Sequence, residues 1–282
     1  DKLKLNFIKM QSCGNDYIFF DNMDGKITCP ESLAINFVDR HYGIGGDGIT
    51  LIEKSEIADA KMRIFNKDGS EGAMAGNSIR CVAKYLFDNG IVRNKNITIE
   101  TLSGVKELQL YTFNGKVSSV SVDMGKAVLS GKEIPSTLEG ETVVGRKIQV
   151  GGQEYAVTLV NVGNPHCVVF CDKVDAVDVA NVGPMFEYAE YFPQRVNAEF
   201  VRVVNDKTLK MRVWERGNGE TLACGTGAAA SVVAAVLNGY CRQDEDITVK
   251  VRGGDLIVRY SSDGSVRLTG SVKQVFEGSI EY

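Results

Sequence analysis

The stretch KMRIFNKDGSEGAMAGN, residues 61–77, returns later in the chain as KMRVWERGNGETLACGT, residues 210–226. Lys-Met-Arg is identical in both, Ile64 meets Val213, Phe65 meets Trp214, Glu71 meets Glu220 and Gly76 meets Gly225. The same offset of 149 positions sets CGNDYIFFD, from Cys13, on VGNPHCVVF, from Val162. Gly14-Asn15 then falls on Gly163-Asn164, and Asn89-Gly90 on Asn238-Gly239. After one inserted residue, ITIETLSG at Ile97 meets ITVKVRGG at Ile247. Matches in this order mark an internal duplication, and a unit of this length is a domain and not a solenoid repeat. The expected division is residues 1–128 and 129–282, with the turn-rich SGKEIPSTLEGE opening the second part.

Each half reads alike. Segments such as KLNFIKM, YIFFD and MRIFN are rich in β-branched and aromatic residues and predict strands. A Gly/Asp/Ser turn follows, then one helix, over 77–89 or 226–238, closed by Gly90 or Gly239 at C′. The second helix contains GAAASVVAAVL, apolar almost all round, and is expected to be buried on every side. The fold class is α+β: two homologous strand-rich domains in a pseudo-two-fold arrangement, each wrapped around a central buried helix. The active site is expected in the cleft between them.

Composition narrows the function. The chain has 282 residues and a net charge of −4, so it lacks the basic footprint of a nucleic-acid binder. Its longest apolar run is far short of the roughly 20 residues of a membrane span, and no leader pattern opens it. The seven cysteines are odd in number, scattered and without a CxxC pair, which favours a reducing cytoplasm over a disulfide framework. With only two histidines, a metal site is not expected. Neither a PLP nor a nucleotide motif is evident, so no cofactor is expected.

The duplicated turn places Ala75 and Cys224 at one position, just before a helix. The first N–H groups of a helix lack internal partners, and the dipole is positive there. A cysteine at that place is expected to have a lowered pKa. The free N–H groups beside it form a seat for a carboxylate. Two such starts facing one small substrate would hold its carboxylate and set a thiol on each side of its α-carbon. One thiolate takes the α-proton and the opposite thiol returns one, which is two-base racemisation. A bland alternative exists for every cysteine, that of a small buried filler, and the other six keep it. Cys81 sits six residues past Ala75, inside the helix. Asn15 and Asn164 can be plain turn residues, Glu215-Arg216 a solvated pair, and His166 a satisfied surface histidine. His41 is read as structural.

The blocks CGNDYIFFD, FNKDGSEGAMAGNSIRC, GNPHCVVF, RVNAEFV and ERGNGETLACGTGA resemble the motifs of the diaminopimelate epimerases, over essentially the whole chain. The resemblance implies two similar domains, a catalytic cysteine from each, no PLP, a homodimer, and interconversion of LL- and meso-diaminopimelate. Cys224 in ACGTG matches one catalytic thiol, and the position of the other is occupied by Ala75. The resemblance makes Gly76-Asn77 and Gly225-Thr226 the carboxylate seats, and Asn15, Asn66, Asn164 and Asn197 substrate-binding asparagines. Arg216 would clamp the distal carboxylate, and His166 and Glu215 would lie near the reacting amine and the thiols. Some members carry Gln where GIGGDG here ends in Gly48, which weakens any contact assigned there.

Alanine can neither take nor give a proton. The chain is therefore expected to be an inactivated epimerase that still binds its substrate, by an introduced change or as a natural paralogue that binds without turnover. Two other readings stand beside it: a PLP-independent racemase of another amino acid, and a non-catalytic amino-acid-binding protein. A thiol hydrolase using Cys224 and His166 leaves the duplication unexplained.

Overall fold

The computed structural model describes residues 2–73 and 75–282. The chain divides into two compact units, Asp1–Val122 with Gly270–Tyr282, and Asp123–Thr269.

In the first unit the chain runs through β1 (Lys4–Ser12), β2 (Asn15–Asp21), α1 (Pro30–Phe37), β3 (Gly48–Glu53), β4 (Ala60–Phe65) and β5 (Glu71–Gly72). It continues with α2 (Gly76–Asp88), β6 (Asn96–Thr101), β7 (Gly104–Phe113) and β8 (Lys116–Lys126), which crosses the boundary of the unit. β1 and β2 are antiparallel, β2 and β3 parallel, β3 and β4 antiparallel. β4 then pairs with β5 in antiparallel and with β6 in parallel sense, and β6, β7 and β8 follow as antiparallel neighbours. α2 packs on β1, β2 and β7. It does so with Ile79, Val82, Ala83 and Leu86, all without exposed surface. Burial of each larger side chain stabilises the unit by roughly 2 kcal/mol.

The second unit repeats this order: β9 (Arg146–Val150), β10 (Gln153–Asn161), β11 (Pro165–Phe170), α3 (Val179–Glu187), β12 (Asn197–Asn205), β13 (Thr208–Glu215) and β14 (Gly219–Glu220). α4 (Gly225–Leu237), β15 (Asp246–Val251), β16 (Gly254–Tyr260) and β17 (Ser265–Ser271), whose last two residues belong to the first unit, complete it. β10 and β11 are antiparallel, β11 and β12 parallel, β12 and β13 antiparallel, β13 and β15 parallel, β15 and β16 antiparallel. Register repeats with the sequence offset. Tyr17 faces Gly48 as His166 faces Asn197, and Ile49 faces Phe65 as Ala198 faces Trp214. Residues 227–235 of α4 are all buried, as its composition predicts.

The fold is thus strand-rich α+β, with four α-helices among the described residues. Two of them differ from expectation, because each half carries a second, shorter helix, α1 and α3. α1 opens on Pro30, whose missing N–H costs nothing at a first helical position. α3 forms although Gly183 and Pro184 lie within it, since Val179 and Phe186 bury against the second core. The first compact unit also takes in the end of the chain. The last strand, β18 (Lys273–Glu281), returns to the first unit and pairs antiparallel with β1 from Lys4↔Glu281 onward.

Both central helices end as the sequence indicates. Asn89 and Asn238 are the C-caps, and Gly90 and Gly239 follow with φ of +70° and +79°. Only glycine enters that region without strain.

Candidate active site

Ala75 and Cys224 are the N-cap residues of α2 and α4, with φ, ψ of −131°, 124° and −130°, 111°. Extended backbone followed by a helix turns the residue's side chain toward the free N–H groups of the first turn. At α4 the thiol uses this position, because Gly227 N donates to Cys224 Sγ at 3.3 Å. Thr226 Oγ1 lies 3.5 Å from the same sulfur.

Behind this start stands a continuous polar chain. Asn164 Nδ2 donates to Thr226 Oγ1 at 3.2 Å. Asn164 Oδ1 is 2.7 Å from His166 Nε2, and His166 Nδ1 is 2.5 Å from Glu199 Oε1. His166 and Glu199 have no exposed surface. Burial drives the His166 pKa down to about 3, against the pull of Glu215. Burial drives that of Glu199 well up, and the nearby Glu215 adds to the rise. Glu215 accepts hydrogen bonds from Thr221 and Cys224, yet burial still raises its pKa.

The thiol itself corrects an expectation. A helix start lowers a cysteine pKa, but that of Cys224 is raised well above its ordinary value. Burial is the main cause, and Glu215 and Glu199 add to it, while Gly227 N–H and Thr226 pull the other way. At rest Cys224 is a protonated thiol.

The start of α2 has a different lining. Asn77 Nδ2 donates to Asn15 Oδ1 at 3.2 Å, and Asn15 Nδ2 donates to Asp47 Oδ2 at 2.6 Å. Asn77 Oδ1 and Ser12 Oγ accept from Arg80, which is fully buried. Arg80 Nη1 has no hydrogen-bond partner among the described residues. A Cβ placed on Gly76 would lie 3.9 Å from it, so the guanidinium sits under the first turn.

The remaining residues are spread. Asn66 is exposed and turns to Ser70 Oγ at 3.1 Å. Asn197 is buried, with Nδ2 on Pro165 O at 2.9 Å and Oδ1 taken by Arg216 N at 2.8 Å. Its amide therefore fixes the backbone before Arg216, whose Nη1 reaches Gln194 O at 3.0 Å. Gly48 leaves no room for a side chain, since a Cβ would come within 2.6 Å of Phe65 O. Cys81 is buried within α2, its pKa pushed up to about 12. Among the described residues no group of His, Cys, Asp and Glu is arranged to hold a metal ion, and no helix is long and apolar enough to cross a membrane.

Glu199, Arg80 and Asp47 were not among the residues expected at these starts. Glu199 had a signal in RVNAEFV: it is a lone acid between the apolar Ala198 and Phe200 of a strand. Arg80 had one too, between the apolar Ile79 and Cys81.

The same fold occurs in solved structures of other proteins. A probable proline racemase from Agrobacterium radiobacter K84 superposes with a TM-score of 0.69 at 16% identity, over 98% of this chain and 92% of its own. A Bacillus anthracis phenazine biosynthesis protein of the PhzF family does so with a TM-score of 0.69 at 14% identity, over 99% of both. These similarities concern the fold alone. Sequence narrows the class. The diaminopimelate epimerase family model matches residues 7–130 and 158–275. The diaminopimelate epimerase of Acetivibrio thermocellus is 47% identical over 278 residues, 98% of this chain and 99% of its own. That of Methanococcus maripaludis strain C5 is 46% identical over 278 residues, 98% of this chain and 100% of its own. The chain belongs to the diaminopimelate epimerase family, a family of isomerases.

Proposed function

We propose that the protein's reaction is the epimerisation of LL-2,6-diaminopimelate to the meso form, in lysine and peptidoglycan precursor biosynthesis, by proton transfer between two thiols without a cofactor. The observation that carries this is the repeated helix start: Cys224 caps α4 through its sulfur, and Ala75 caps α2 with nearly the same dihedral angles. Membership of the family supports diaminopimelate as the substrate.

In this mechanism the starts of α2 and α4 flank one α-carbon. The N–H groups at Gly76-Asn77 and Gly225-Thr226 seat the reacting carboxylate. Deprotonation pushes negative charge onto that carboxylate, and each preorganised donor lowers the barrier by about 3 kcal/mol. Cys224, a thiol at rest, gives its proton to one face. The base for the opposite face belongs at position 75. Glu215, in contact with the thiol, and His166, linked to it through Asn164 and Thr226, hold its surroundings polar. Asn15 supports Asn77, and Arg216, with Asn66, takes the distal carboxylate, its backbone fixed by Asn197. The proposal includes duplicated halves at residues 1–128 and 129–282, a cytoplasmic location and a homodimer.

Ala75 leaves the chain one base short, so we propose that it binds diaminopimelate without turnover. NMR in deuterated water, with LL-diaminopimelate and either this chain or Ala75→Cys, tests the whole. The expected result is meso product and deuterium at the α-carbon for Ala75→Cys only. A folded Ala75→Cys protein that binds diaminopimelate but exchanges no α-proton would overturn it, in favour of a silent amino-acid binder. Exchange with another amino acid alone would make it a different racemase.

A further inference from the structure

The offset of 149 that places Cys224 on Ala75 also places Glu199 on Thr50 and Gly227 on Ser78. In the first unit Thr50 Oγ1 and Ser78 Oγ form a buried hydrogen bond of 2.7 Å. In the second unit that space belongs to a carboxyl group. A Cβ on Gly227 would come within 2.9 Å of Glu199 Oε1, so the helix gives up a side chain where the acid lies. Glu199 is thus built in beneath the first turn of α4, and nothing in the proposed reaction uses it.

Its hydrogen bonds fix its charge. Oε1 meets His166 Nδ1 at 2.5 Å, while Oε2 is buried and has no partner among the described residues. An ionised carboxylate left with a bare oxygen in a dry interior is far costlier than a neutral acid with an unpaired carbonyl oxygen. The Gly227 N–H at the helix start, which could have compensated an anion, is taken by Cys224 Sγ. A protonated Glu199 must donate to Nδ1. His166 then carries its proton on Nε2 and donates to Asn164 Oδ1 at 2.7 Å. Asn164 is thereby oriented with Nδ2 toward Thr226 Oγ1. That oxygen, already accepting, keeps its own hydrogen for Cys224 Sγ at 3.5 Å.

We propose that Glu199 is a positioning residue: as a neutral acid it locks His166 in the Nε2–H tautomer and, through Asn164 and Thr226, aims a hydroxyl hydrogen at the Cys224 sulfur. The effect is to favour the thiolate that remains once Cys224 has given up its proton. The other titratable groups facing this chain are Glu215 and Arg216 at the end of β13, and Cys167 and Cys224. Glu215 and Cys224 meet the far end of the chain, whereas His166 Nδ1 faces Glu199. The importance of the sulfur rests on Cys224 being the working thiol. The tautomer does not, and it is read without substrate, so loss of the epimerase proposal leaves it standing.

Long-range proton–nitrogen NMR of the imidazoles is the test, with only two histidines to separate and His41→Gln to assign them. In the unmodified chain His166 is expected as the Nε2–H tautomer at pH 7. Glu199→Gln, whose amide also donates to Nδ1, keeps it; Glu199→Val loses it. An Nδ1–H tautomer or an imidazolium at pH 7 in the unmodified chain overturns the proposal, as does an unchanged tautomer in Glu199→Val. If Glu199→Val does not fold, the unmodified chain and Thr226 variants decide. Alkylation of Cys224 by iodoacetamide at pH 8, followed by peptide mass spectrometry, is expected to slow about tenfold in Thr226→Val, one unit of thiol pKa, and to hold within about twofold in Thr226→Ser. Equal rates in Thr226→Val and the unmodified chain would show that the chain does not reach the sulfur.

Discussion

Ala75 and Cys224 enter their helices at nearly the same dihedral angles, yet the two starts rest on opposite chemistry. Under α2 lies the Arg80 guanidinium, held by the neutral acceptors Asn77 and Ser12. The place corresponding to Arg80 in α4 is Ala229, and the group under that start is the Glu199 carboxyl. Even the asparagine bridges run in opposite senses. Asn164 donates to Thr226 on α4, whereas Asn77 on α2 donates to Asn15. A duplicated backbone thus supplies two equivalent helix starts, and the side chains beneath them set the charge each favours. The α2 start, over a buried guanidinium whose Nη1 has no hydrogen-bond partner among the described residues, suits an anion; the α4 start, beside the carboxyl groups of Glu199 and Glu215, keeps its thiol protonated. Two-base chemistry needs one partner in each state.

The largest effect expected is on exchange of the α-proton. With Ala75→Cys in place, changing Cys224 to Ala should return exchange in deuterated water to the level of the unmodified chain, a loss of about a thousandfold or more. Activity retained without Cys224 would break the comparison at its root. Next comes Arg80. In the same background, Arg80→Met should raise the pKa of the thiol at position 75 by about one unit, cutting its alkylation rate about tenfold at neutral pH, and leave Cys224 unchanged. Arg80→Lys, which keeps the charge, should lose much less.

A smaller effect is expected in stability against pH. Above pH 6.5, the ordinary histidine value, the unfolded Glu199–His166 pair holds no proton, whereas the folded pair holds one on Glu199. Stability therefore falls as pH rises, by about 1.4 kcal/mol per pH unit, until Glu199 ionises in the folded state. From pH 6.5 down to 4.5 each state holds one proton and the pair adds no slope. Below 4.5 the unfolded pair holds two, so stability falls again until His166 protonates near 3. Glu199→Gln should flatten the upper limb and start the acid loss at about pH 6.5. Denaturant titrations of both proteins over this range, subtracted, isolate the pair. The smallest effect is a control. Gly90 and Gly239 have φ of +70° and +79° and open space where a Cβ would go. Gly90→Ala and Gly239→Ala should each cost about 1 kcal/mol, and equally, because here the halves do not differ.

Much of this architecture was legible in the repeat. The offset found in residues 61–77 and 210–226 recurs in the pairing of β2 with β3 and of β11 with β12. What escaped was either short or distant. α1 spans eight residues, too few for a helical period to stand out, and α3 is interrupted by Gly183-Pro184. The pairing of β18 with β1 joins the two ends of the chain, and no local pattern encodes it. At the site, Cys224 and Thr226 came forward because they stand at a helix start, and Asn164 and His166 through the resemblance carried by GNPHCVVF. Glu199 and Arg80 did not, since a charged residue in a strand or a helix ordinarily reads as solvated. Only the fold shows that both are buried under the starts.

The most direct measurement compares the two thiols in one protein. Reduced Ala75→Cys would be alkylated with iodoacetamide across pH 5 to 11, and each site followed by peptide mass spectrometry. The thiol at position 75 should titrate below an ordinary cysteine, and Cys224 well above it. Equal titrations, or Cys224 the more acidic of the two, would contradict the assignment of opposite charge to the two starts.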